Sequence, residues 1–173
     1  MMVRSEPFLG LDIASTTAIF LVFLGVHVAA AVAAIVSGII AMLARKGTGR
    51  HPRAGRWYLG AILTVFGTAC VLASFRWPDD LPLVIVGGIS AIAALYGFLF
   101  RRLHRPGAIP HILAMCISYI AMLTAFYVDN GPHLPIWNLL PPLTFWFLPS
   151  IVGVPLLARA IRRTRRLRRA MLA

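Results

Sequence analysis

The sequence predicts an all-α integral membrane protein, a bundle of five transmembrane helices with its N-terminus outside and its C-terminus in the cytoplasm. Three observations carry that expectation. Of the 173 residues, 60% are hydrophobic and 13% are charged, more apolar surface than a soluble domain of this length can cover. The apolar residues form five runs, each near or above the roughly 20 residues that a helix needs to cross the hydrocarbon core. The cations fall in short blocks between those runs, so the placement of a net charge of +12 matters more than its size.

The runs extend over Ile13 to Ala44, Trp57 to Phe75, Leu81 to Phe100, Ile109 to Val128 and Ile136 to Ala160. At about 1.5 Å per residue the first is about 48 Å long, so it must tilt, kink or project from the bilayer. It continues far beyond the small residues "HVAAAVAA" that imitate a cleavage site, and only Arg4 precedes it as a cation. It therefore reads as a retained helix rather than a leader. With five spans, three cationic blocks share one side. The first is Arg45, Lys46, Arg50, Arg53 and Arg56; the second is Arg101, Arg102 and Arg105; the third is the tail from Arg159 to Arg169. Together they hold fifteen of the seventeen Lys and Arg and no acid, which by the positive-inside rule makes that side cytoplasmic.

The first connection, "RKGTGRHPRAGRWY", lacks the G-x-x-x-x-G-K-[ST] pattern and follows a membrane helix rather than a strand, so it is no phosphate loop. Pro52 and the glycines at 47, 49 and 55 suit a tight turn, and Trp57 and Tyr58 suit the membrane interface. His51 alone is left without a topological reason. The fifth run carries prolines at 135, 141, 142, 149 and 155, which predicts a kinked helix that, with Asn138, lines a small cavity. Residues 1–160 thus form one transmembrane domain, and residues 161–173 a basic amphipathic cytoplasmic tail, with Ile161, Thr164, Leu167 and Met171 near one face. Anionic headgroups are the partners expected for Arg45, Lys46, Arg50, Arg53, Arg56, Arg162, Arg163, Arg165 and Arg166. Nucleic acid is not expected, because the cations lie beside membrane spans.

"KGTGRHPRAGRWY" together with "HILAM" resembles an uncharacterised family of bacterial predicted membrane proteins, domain of unknown function number 2306. That family's pattern is matched here by His27, Lys46, Gly47, His51, Gly55, Arg56, Tyr58, His111 and Met115, and departs at Pro52 and Ile112, where arginine is usual. The resemblance covers roughly residues 25–160 and implies a multi-pass protein of the bacterial inner membrane, with no activity attached.

Chemistry inside the membrane rests on histidines. His27 lies deep in the first span, where an ionisable ring costs free energy unless it meets a partner, a cofactor or water. Ala31, Ala34, Gly38 and Ala41 share its face, and Ala114, Ser118, Ala121 and Ala125 share that of His111. Such small residues leave room either for a flat cofactor such as haem b or for close helix packing. His27 stands about 25 Å above the cytoplasmic end of its helix and His111 stands at that end, so one haem cannot join them in a straight bundle. His51, His104 and His111 are all near the inner face, and any two of them could share a haem or a metal; His104, flanked by arginines, reads as solvated. For His27, an outer group such as His133 or a non-histidine partner remains.

Cys70 and Cys116 form no C-x-x-C pattern and read as small hydrophobes. All five acids fall on the outer side, so no carboxylate is available to the inner histidines and no catalytic triad can be assembled. Asp79, Asp80, Asp129 and His133 on that side read as turn residues. The sequence therefore points to a protein without enzymatic activity, either an accessory subunit with a membrane-protein partner or a second copy, or a binder or carrier of a small solute at His27 and Asn138. The alternative is a small b-type haem protein of electron transfer, using His27, His51 and His111 and no separate metal site.

Overall fold

A computed structural model describes residues 13–46 and 49–170, with side chains from Ala18 onward and those of Asn138 and Arg168 excepted. Arg4, Gly47, Met171 and the Asn138 side chain lie outside what is described, as do the two acids before Ile13. The chain forms α1 (Ile13–Leu43), α2 (Arg50–Ser74), α3 (Leu81–Arg102), α4 (Ile109–Asn130) and α5 (Thr144–Ala170). All five are long and apolar enough to cross a membrane.

The ends of α1, α3 and α4 lie within two residues of the expected boundaries. Pro82 and Pro110 stand in the first turns of α3 and α4, where a missing N–H costs nothing. The other two helices correct the sequence reading. The turn expected to run to Arg56 ends at Gly49, and α2 begins at Arg50, seven residues before the expected Trp57. Pro52 falls in its first turn, where proline is tolerated, and Arg50, Arg53 and Arg56 are good helix formers. Gly49 itself has φ −58°, so no left-handed glycine is needed there.

At the other end of the chain, α5 starts at Thr144 rather than Ile136. Pro132, Pro135, Pro141 and Pro142 supply no N–H for a helix, and residues 131–143 instead hold two short 3-10 turns, Gly131–His133 and Trp137–Leu139. Asn138 therefore sits in a connection, not in a broken helix. Pro149 and Pro155 lie inside α5, which runs on through the arginines to Ala170. The basic tail is thus the last turns of α5, since arginine favours helix where no proline or glycine stops it.

Successive helices are antiparallel neighbours. Phe20 meets Phe75 at a ring-centroid distance of 5.6 Å, joining the start of α1 to the end of α2. Phe66 of α2 lies against Gly87 and Gly88 of α3. Gly131, at the end of α4, receives the Phe145 ring from the start of α5, and Gly153 of α5 receives Ile120. The core is shared by the first four helices, with Ala34, Tyr58, Ile62, Ala94 and Met122 buried together. Tyr119 of α4 closes the ring of helices, because its hydroxyl donates to the Ile35 carbonyl at 3.2 Å and its ring lies on Gly38. Around this core the outer faces are apolar and exposed, as at Val22, Val32, Ile92 and Val152, a surface suited to lipid rather than water. Between helices in lipid the cohesion comes from packing and hydrogen bonds, which is why the glycines stand at the crossings.

Candidate functional site

The antiparallel order carries the α1–α2 connection, the α3–α4 connection and the end of α5 to one end of the bundle, here the basic end. His51 is the second residue of α2 and His111 the third of α4, so both open helices that run parallel away from that end. Their ring centroids are 6.2 Å apart with the planes at 85°.

Each ring is held by a backbone carbonyl of a different helix. His51 Nδ1–H donates to the Ala41 carbonyl at 2.9 Å, and His111 Nδ1–H donates to the Gly97 carbonyl at 2.7 Å. A carbonyl can only accept, so Nδ1 must carry the proton in both rings. The neutral imidazole then keeps its lone pair on Nε2, the nitrogen that binds metals, and the bond at Nδ1 orients the ring. For His51 the bond also satisfies one of the last carbonyls of α1, and Lys46 Nζ donates to the same Ala41 carbonyl at 3.1 Å and to that of Met42 at 3.4 Å. Gly97 lets α4 approach, since a Cβ there would stand 2.9 Å from Met115 Sδ.

The surroundings are cationic. His111 lies within electrostatic reach of Arg101 and Lys46 as well as His51. Partial burial pushes the Lys46 ammonium below the usual lysine range, opposed by the Cys116 thiol on α4. Among the described residues no third His, Cys, Asp or Glu joins the pair to form a group able to hold a metal ion.

Two turns deeper, the same two helices meet again. Tyr58, seven residues after His51, shares a 2.7 Å hydrogen bond with Ser118, seven residues after His111. Ser90 of α3 donates to the Ser118 carbonyl at 2.8 Å. Tyr58 is 1% exposed and its ring lies 6.0 Å from that of Tyr119. These two rings lie on Gly38, so the small-residue face below His27 is filled by tyrosine rather than left open. In the sequence Tyr58 reads as an interface and motif residue and Ser118 as a small residue on the His111 face, and only the equal interval of seven from each histidine hints that they meet.

The remaining candidates are separate. His27 Nδ1 bonds to Thr68 Oγ1 at 2.9 Å, and Thr68 already offers its hydroxyl proton to the Thr64 carbonyl at 2.8 Å, so the histidine is the donor. His104 is exposed in the α3–α4 connection with φ 53°, and His133 is exposed at the opposite end. Arg45, Lys46, Arg50, Arg53, Arg56, Arg162, Arg163, Arg165 and Arg166 all present exposed side chains.

Haem b is the alternative that the sequence offers, and the pair supplies the donor type it takes, two imidazoles side by side with Nδ1 already engaged in each. A bare divalent ion fits less well, because it would want further protein ligands and would be repelled by Lys46 and Arg101. The same cations suit a group that brings its own carboxylates, as haem does with its propionates. No family model, curated protein or solved structure matches the chain.

Proposed function

We propose that this chain is a small b-type haem membrane protein of electron transfer, in which His51 and His111 would hold the haem iron. The observation that carries the proposal is the juxtaposition of two imidazoles, each with Nδ1–H tied to a backbone carbonyl and Nε2 left as its donor to metal. When bound, the haem would supply one-electron redox chemistry. The chain's own contribution is to hold both rings in one tautomer, to place Lys46 and Arg101 beside them for the propionates, and to close the interior beneath with the Tyr58–Ser118 pair. Among the described residues no carboxylate joins the site, which favours a carrier of electrons over an enzyme. His27 takes no part in this reading, being engaged by Thr68.

Supporting readings go with it. The fifteen cations at one end favour a cytoplasmic location for that end and an outer N-terminus, and the resemblance to the family of unknown function favours a bacterial inner membrane. Pro149 and Pro155 leave the carbonyls of Phe145 and Ile151 without helical donors, which favours a bend in α5. An accessory or solute-carrying role gains no comparable observation.

The test is a reduced-minus-oxidised visible spectrum of protein purified from cells with ample haem. A Soret and α-band pair is expected, lost in His51→Ala and in His111→Ala and kept in His27→Ala. A preparation that stays colourless after haem is added, or bands that survive both substitutions, would overturn the proposal.

A further inference from the structure

A second feature of the basic end is independent of the histidines. Between α1 and α2 the outer face is hollowed into a groove of about 640 Å³. Its mouth is formed by Arg53 and Arg56, and Trp57 stands beside them at 71% exposure. Its floor is Ala30 and Ala33 of α1 with Gly60 and Ala61 of α2, and its far end is Thr64. Thr64 donates its hydroxyl to the Gly60 carbonyl at 3.0 Å, so no polar group of the floor is left seeking a ligand.

We infer that this groove binds one anionic phospholipid, its phosphate between Arg53 and Arg56 and one acyl chain lying along the floor. Three physical arguments select that occupant. From Arg53 to Thr64 the helix rises about 16 Å, close to the half-thickness of about 15 Å that one leaflet's acyl chains fill. Among the described residues the two arginines have no carboxylate to pair with, since Asp79, Asp80 and Asp129 lie at the opposite end of the bundle. An amphiphile with an anion at one end and an apolar chain at the other is complementary to both parts. Trp57 is the residue type that settles at the headgroup level where those parts join. A second copy fits less well, because a two-fold contact through this groove would set Arg53 and Arg56 of both chains together without an acid between them.

The experiment is native mass spectrometry of the full chain released from detergent after equilibration with equal amounts of phosphatidylglycerol and phosphatidylcholine of identical chains. One phosphatidylglycerol is expected to stay bound in preference. Arg53→Gln and Arg56→Gln should each lower that preference about five-fold, and the double variant by more than ten-fold. Gly60→Leu should lower retention of both lipids by occupying the floor, and it should still fold, because a Cβ at Gly60 meets nothing within 4 Å. Equal retention of the two lipids, or displacement of the lipid by millimolar inorganic phosphate, would overturn the inference. So would a dimer that Gly60→Leu dissociates with no lipid bound. Retention unchanged in all of these variants would do the same, and the haem spectrum, unaffected by any of them, keeps the two proposals apart.

Discussion

A histidine inside an apolar span has two ring nitrogens to account for, and what binds the first decides what the second can do. His27, His51 and His111 each commit Nδ1 to a protein oxygen, a threonine hydroxyl in one case and backbone carbonyls in the others. The difference is that only His51 and His111 share a neighbourhood. For His27 the expected role is cohesion. Thr68→Val should cost about 1 kcal/mol by leaving Nδ1–H unpaired. A double-mutant cycle with His27→Leu, read by thermal unfolding in detergent, should give a coupling of about 0.6 kcal/mol; a coupling of zero would mean the bond adds no stability. Tyr58→Phe tests the network beneath the pair in the same way. It should cost about 1 kcal/mol and leave Ser118 still in contact with Ser90, at 3.3 Å.

At the scale of the element, glycines decide where helices meet. A Cβ at Gly38 would press into the Tyr119 ring and stand 3.3 Å from Tyr58, so Gly38→Leu should destabilise the bundle by about 1–3 kcal/mol. Combining it with Tyr119→Ala should recover part of the loss, and an unfolding midpoint lower in the double variant than in either single one would show that the contact is not the cause. The α4–α5 connection holds the opposite case. Ile136 has φ 73°, a conformation that a β-branched residue occupies at a cost, and its side chain is exposed. Ile136→Gly should therefore raise the unfolding midpoint, by an amount corresponding to about 1 kcal/mol. Trp137, next to it, meets the Tyr127 ring at 5.5 Å and holds the connection against the end of α4.

For the molecule as a whole, the asymmetry of charge is the main organising fact. Fusions of a reporter that is active only outside the cytoplasm should be active after Asp80 and inactive after Arg105 and after Ala170; activity after Arg105 would reverse the orientation argued from the cations. The ion pair Arg76–Asp80, at 3.7 Å, joins residues four apart within one connection and ties no helix to a distant one. Cohesion therefore rests on the packed core of the first four helices, with α5 attached chiefly through Phe145, which is 1% exposed, and Ile120.

Five apolar helices and one strongly basic end follow from the sequence alone, because a span is a property of consecutive residues and the rules of insertion read composition directly. Three boundaries did not follow, the start of α2 and both ends of α5, where the prolines at 141 and 142 delay the start. The first run of arginines reads as a turn and the last as a separate amphipathic tail when polarity is the criterion, yet they extend α2 at its start and α5 at its end, since helix propensity continues where hydropathy stops. The histidines could be named from the sequence, and three of them assigned to one end. That His51 and His111 pair while His104 stands apart was settled by helix register, which brings residues 60 positions apart together at both the histidines and the Tyr58–Ser118 bond. Small residues near His27 were equally legible as a cofactor groove or a packing face. Only the tertiary structure decided it, by setting Tyr119 of α4 onto Gly38 of α1, a contact between segments 81 residues apart that no local pattern encodes.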